Sequence, residues 1–69
     1  MTKLDDLIVA IDSLPNDCEG LKFRMRALIS SMELDRLLAY TAGVKDTLEV
    51  FTSDEAYLAP IRKITGILK

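Results

Sequence analysis

The sequence predicts an all-helical fold: a single domain over residues 1–69, built as a small bundle of three to four short helices and completed by homodimerisation. Apolar residues recur at intervals of three and four along most of the chain, which is the spacing of one face of an α-helix. No stretch alternates apolar and polar residues over more than about four positions, as a half-buried strand would. Finally, 49% of the 69 residues are apolar, more than so short a monomer is expected to bury alone. That excess favours a homodimer over a monomer that awaits a different partner.

The first helix is predicted over residues 3–13. Thr2 is suited to be its N-cap, with Asp5 three residues later in the position of a capping box. Pro15 ends the helix, because proline disfavours a helical conformation in the residue before it and cannot donate a backbone hydrogen bond. The apolar face consists of Leu4, Leu7, Ile8 and Ile11.

A second helix is predicted over residues 17–30, with Asn16 or Asp17 as its cap and Glu19 in the capping-box position. Its apolar stripe is Leu21, Met25, Leu28 and Met32. A third helix is predicted over residues 33–51, with the stripe Leu34, Leu37, Thr41, Val44, Leu48 and Phe51.

These two stripes are out of phase near Ser30–Glu33. Either a turn separates two helices, with Ser30 and Glu33 as another capping box, or one long helix contains a stutter. We favour the turn.

The last helix is predicted over residues 54–68, with a break at Pro60. Thr52, Ser53 and Asp54 provide capping side chains at its start. Because an interior proline removes a backbone donor and crowds the preceding turn, we expect a short turn over 54–58 and a second start at Pro60. The apolar face is Tyr57, Leu58, Ile61, Ile64 and Leu68.

The residue types argue against an enzyme, and we expect no catalytic, cofactor-binding or metal-binding residue. The chain has one cysteine and no histidine, too few ligands for a structural zinc site. Cys18 lies between Asp17 and Glu19, two acids that raise the pKa of a thiol rather than activate it. The triplet Asp12-Ser13-Leu14 resembles the phosphopantetheine attachment site of acyl carrier proteins, but here the serine closes a helix before a proline.

Charge and hydropathy indicate the class of partner. The net charge is −2, so nucleic acid is disfavoured as a ligand. The basic residues Lys22, Arg24 and Arg26 do not share one helical face, since Arg24 lies nearly opposite the other two. No apolar run is long enough to cross a membrane. With a single cysteine and no signal peptide pattern, we expect a cytoplasmic protein.

The function predicted is that of a small non-enzymatic protein–protein interaction module, a bacterial or phage-type regulator, inhibitor or adaptor that binds a larger protein and modulates it. One alternative is a nucleic-acid-associated small regulator, and another is a co-chaperone or structural subunit of a secretion or other assembly. Large flexible and aromatic side chains dominate interfaces, so the candidate partner-binding residues are Met25, Met32, Leu37, Tyr40 and Phe51.

Gly43 predicts where a second copy would pack. A glycine inside a helix costs about 1 kcal/mol relative to alanine, so its presence indicates either close approach of another backbone or a helix end. The close approach would pair this helix with its symmetry mate. The candidate dimer interface is Leu37, Thr41, Gly43, Val44 and Leu48.

Overall fold

The computed structural model describes residues 2–69, and within them the chain forms four α-helices and no strand. The predicted all-helical class is therefore confirmed. The helices are α1 (Lys3–Asp12), α2 (Glu19–Ser30), α3 (Leu34–Phe51) and α4 (Glu55–Leu68). Each bound lies within two residues of its predicted position.

The start of α1 is capped as its sequence predicts. The Thr2 hydroxyl accepts a hydrogen bond from the Asp5 backbone N–H at 3.2 Å, and the Asp5 carboxylate accepts from the Thr2 N–H at 3.3 Å. At the other end, the Ser13 hydroxyl donates to the Val9 carbonyl at 2.9 Å. Ser13 is thus the C-cap residue of α1, and its hydroxyl is hydrogen-bonded to that helix.

The predicted capping box at the start of α2 is wrong. Asn16–Cys18 form a 3-10 turn, and Cys18 precedes α2 without a side-chain hydrogen bond to the first turn. The tighter turn uses the Cys18 N–H, which donates to the Pro15 carbonyl at 3.0 Å. Because this turn already orders the residues before Glu19, the helix begins without a side-chain cap.

A turn separates α2 from α3, and it is closed by backbone bonds instead of the predicted capping box. The Met32 N–H donates to the Ile29 carbonyl and the Glu33 N–H to the Leu28 carbonyl, each at 2.9 Å. This pair of bonds is the Schellman arrangement, which needs a left-handed residue after the helix. Met32 fills that position with φ 56°, although glycine is the usual occupant.

The predicted break at Pro60 is also wrong, because α4 runs through it from Glu55 to Leu68. The proline deprives only the Ala56 carbonyl of its helical donor, and Ala56 is an exposed residue near the start of the helix. Water can reach that position, so the lost hydrogen bond costs less than it would in the core. Asp54 fixes the start of α4 by accepting from the Ala56 N–H at 2.9 Å.

The four helices pack as a ring in which α1 contacts α2 and α4, and α3 contacts α2 and α4. The central cluster of buried apolar side chains draws on all four helices and on the α1–α2 connection: Leu7, Ala10, Ile11, Leu14, Cys18, Met25, Leu28, Ile29, Leu37, Ile61 and Ile64. The accessible surface is 4325 Å², about the ~4,300 Å² expected of a folded monomer of this mass. The core is thus closed within one chain, so a second copy would join surfaces rather than complete the interior.

Candidate functional site

The predicted partner-binding residues occupy three different environments. Met25 and Leu37 are fully buried at 0% exposure, which removes them from any docking surface of the folded chain. Tyr40 is half-buried, whereas Met32 is 61% and Phe51 80% exposed. Met32 precedes α3 and Phe51 ends it, so the 18 residues of that helix separate them by about 27 Å. They cannot belong to one small docking site.

The predicted dimer-interface residues are divided in the same way. Leu37 and Thr41 are buried in the core, where the Thr41 hydroxyl donates to the Leu37 carbonyl at 2.7 Å. Val44 and Leu48 are half-buried and pack against the core. Only Gly43 is exposed, and a Cβ atom added there would meet no atom of this chain within 4 Å. The close approach at Gly43 therefore does not occur within the chain.

An open apolar groove of about 600 Å³ runs between α2 and α3, and we call it the α2–α3 groove. Its lining consists of Leu21 from α2 and Ala39, Tyr40, Gly43, Val44, Thr47 and Leu48 from α3.

Polar groups at this groove are few and mostly engaged. The Thr47 hydroxyl donates to the Gly43 carbonyl at 3.0 Å, so it is satisfied within its own helix. The Arg24 guanidinium lies 6.0 Å from the centroid of the ring of Tyr40, one of the lining residues, which is a cation–π distance. The groove is therefore mainly apolar, with one positive charge near its Tyr40 ring.

A second surface lies between α1 and α2, and we call it the α1–α2 face. It contains exposed Ile8 (40%) and Phe23 (77%) with Arg26 lining the cavities beside both. The cavity at Ile8 is about 360 Å³ and the one at Phe23 about 430 Å³. Arg26 forms an ion pair with Asp12 of α1, so the guanidinium is held between the two helices.

The sequence pattern does not predict Phe23 or Ile8 as binding residues. A stripe search finds residues in phase with the core, and Phe23 lies two positions from both Leu21 and Met25 on the opposite face of α2. A large apolar residue out of phase with its helix is the signal that could have identified it.

The thiol of Cys18 is kept protonated by its surroundings. Burial raises its pKa, and the Asp17 carboxylate, whose Oδ1 lies 3.8 Å from the sulfur, raises it further. The other carboxylate oxygen of Asp17 accepts a hydrogen bond from the Tyr57 hydroxyl at 2.6 Å, which raises the pKa of Tyr57 to about 12. This polar group ties the 3-10 turn to α4 and leaves the thiol a poor nucleophile.

Most of the arginine side chains are engaged in ion pairs. Arg62 of α4 donates to Glu49 of α3 at 3.1 Å and to Glu55 at 3.2 Å, and Arg36 lies 3.5 Å from Glu33. With Arg26 also paired, Arg24 is the one arginine without an ion-pair partner within residues 2–69.

Two further features concern metals and membranes. Within residues 2–69, no group of three Cys, Asp or Glu side chains is arranged to hold a metal ion. None of the described helices combines the length and apolar character needed to span a bilayer. In comparisons with known proteins, no family model, curated protein or solved structure matches this chain.

Proposed function

We propose that this chain is a non-enzymatic protein–protein interaction module that forms a homodimer and binds a larger protein, whose activity it modulates. The observation that carries this proposal is a pair of separate surfaces on the two flanks of α2. One is the apolar α2–α3 groove, and the other is the α1–α2 face, where exposed Phe23 and Ile8 lie among charged side chains. A symmetric dimer uses the same patch on both copies. A module that also binds another protein needs a second patch, and this chain has one.

The α1–α2 face is the surface we assign to the larger protein. Phe23 is 77% exposed, and burying a phenylalanine side chain stabilises a complex by roughly 1.5–3 kcal/mol. Aromatic side chains at the centre of a contact commonly contribute most of its binding energy. Lys22 and Glu19 line the same cavity as Phe23, and neither has an ion-pair partner within residues 2–69.

The residues around Phe23 indicate the chemistry of the bound segment. An apolar side chain of the partner would pack on Phe23, and polar side chains beside it would meet Lys22 and Glu19, which give the cavity one charge of each sign. Arg26 is already neutralised by Asp12, so it contributes mainly its apolar stem to the contact. We therefore expect the partner to present an amphipathic helix whose apolar anchor is flanked by polar side chains.

The two phenylalanines of the chain provide a matched pair for the test. Both Phe23 and Phe51 are highly exposed, and they lie on different helices. Tagged wild-type chain, Phe23→Asp and Phe51→Asp are used to capture protein from host lysate, and circular dichroism checks that each variant is folded. We expect a captured protein that is lost with Phe23→Asp and retained with Phe51→Asp.

Two results would contradict the proposal. One is capture of the same protein by all three chains, because binding would then not depend on the α1–α2 face. The other is loss of capture with Phe51→Asp alone, which would move the partner site to the end of α3.

A further inference from the structure

The outward side of α3 carries a continuous row of exposed residues. Arg36, Ala39, Gly43, Asp46 and Val50 follow one another at intervals of three and four, and all five are exposed. This is the spacing with which one helix packs along another. We call this row the α3 seam; it borders the α2–α3 groove and shares Ala39 and Gly43 with it.

We infer that a second copy of this chain packs on the α3 seam, with the two α3 helices antiparallel about a two-fold axis at Gly43. This inference rests on the proposed homodimer and names the surface that forms it. The predicted interface included the buried residues Leu37 and Thr41, whereas the seam is the opposite, accessible side of the same helix.

Gly43 is suited to the axis of this pairing. A Cβ atom there would meet nothing within 4 Å in the single chain, so the fold of one copy does not require glycine at this position. At a two-fold axis, however, residue 43 of each copy lies against residue 43 of the other. The absence of a side chain lets the two backbones approach closely.

The register about Gly43 also brings opposite charges together. In an antiparallel pair, each residue lies opposite the residue equally far on the other side of Gly43, so Tyr40 lies opposite Asp46 of the second copy. Arg24 is positioned over the Tyr40 ring at 6.0 Å and therefore meets that carboxylate.

Neither Arg24 nor Asp46 has an ion-pair partner within residues 2–69, although the chain's other arginines do. Because of the two-fold symmetry, the dimer contains this Arg24–Asp46 pair twice. The same register places the stem of Arg36 over Val50, whose side chain is 79% exposed in the single copy.

The size of this side of the molecule agrees with a dimer of modest strength. The molecule measures 30 × 20 × 20 Å, so one long side projects an area of about 600 Å². A specific interface covers ~800 Å² of accessible surface on each partner, and a corrugated side has more accessible surface than its projection. The dimer would use nearly the whole side, and we expect a dissociation constant on the order of micromolar.

The test is sedimentation velocity of the full chain over a concentration series from low micromolar to submillimolar. We expect the particle to change from 7.7 kDa to twice that mass. Gly43→Glu places two like charges at the axis and should weaken the dimer by about tenfold or more, while the folded chain keeps an equal or higher melting temperature. Gly66→Glu is the control, since Gly66 is also an exposed helical glycine with open space at Cβ.

Charge reversal tests the register. Arg24→Glu and Asp46→Lys should each weaken the dimer, and the two together should recover most of the affinity, because the pair is restored with opposite sign. A monomer at every concentration, a dimer unaffected by Gly43→Glu, or a double variant no tighter than the singles would overturn the inference. Capture of the larger protein through Phe23 by a chain that stays monomeric would overturn the dimer alone.

Discussion

Leu37→Ala tests whether Leu37 is a core residue or a binding residue. The sequence pattern predicts it in both the partner-binding set and the dimer interface, whereas the structure buries it completely. Replacing leucine by alanine removes apolar carbons worth about 0.8 kcal/mol each, or ~2.4 kcal/mol in total. A residual cavity of roughly 40–80 Å³ adds about 1–2 kcal/mol. We therefore expect the free energy of unfolding to fall by roughly 3–4.5 kcal/mol.

That loss is large for a chain of this size. At about 0.05–0.15 kcal/mol per residue, a domain of this length is stable by roughly 3–10 kcal/mol. Leu37→Ala should therefore lower the melting temperature by roughly 15–30 °C and leave a substantial unfolded fraction near physiological temperature. Urea unfolding followed by circular dichroism measures the change.

Phe51→Ala is the control for this experiment, because Phe51 lies on the same helix, outside the α3 seam, and is 80% exposed. Its stability should stay within about 0.5 kcal/mol of the wild type. If Leu37→Ala lowers the free energy of unfolding by less than ~1 kcal/mol, the burial of Leu37 is refuted and the side chain must be exposed.

Three further changes test local features. Thr2→Ala should cost about 1 kcal/mol of stability by removing the α1 cap, and Thr2→Ser should not; equal losses in urea unfolding would argue against the capping bond. Pro60→Ala should raise stability by about 1–2 kcal/mol, because the alanine N–H restores the hydrogen bond to the Ala56 carbonyl. This gain should exceed the loss that follows because alanine leaves the unfolded chain more flexible than proline does. An unchanged melting temperature would show that the proline costs nothing. In a chain whose other tyrosine is phenylalanine, absorbance titration should find the Tyr57 pKa near 12 and, with Asp17→Asn, closer to its ordinary value. Because the folded pKa is the raised one, the contribution of Tyr57 to stability is fully present below pH 10 and is lost as the pH rises toward 12; a flat stability profile across that window would contradict the bond.

The helical elements could be predicted because their signals are local. The capping box of Thr2 and Asp5 acts within one turn, and the three–four spacing of apolar residues reports helical geometry directly. The break predicted at Pro60 is wrong for a reason that is not local. Its cost depends on whether the orphaned carbonyl faces water or the core, and only the packing of α4 decides that.

The site was less predictable, because a helical stripe marks residues that will be buried without saying what will cover them. Leu37 and Thr41 follow the spacing that both a core and an interface use, and the other three helices of the same chain take that face. Phe23 and most of the α3 seam lie outside the stripes, and the packing of the four helices shows that these residues stay exposed.

Local chemistry along the chain was therefore enough to establish an all-helical bundle and the approximate ends of its helices, since hydrogen bonds, caps and periodicity act over a few residues. The ring packing, the closed core and the two surfaces left exposed beside α2 were decided by tertiary structure. Burial is a property of the whole assembly of helices, because whether a side chain is hidden depends on residues far away in sequence.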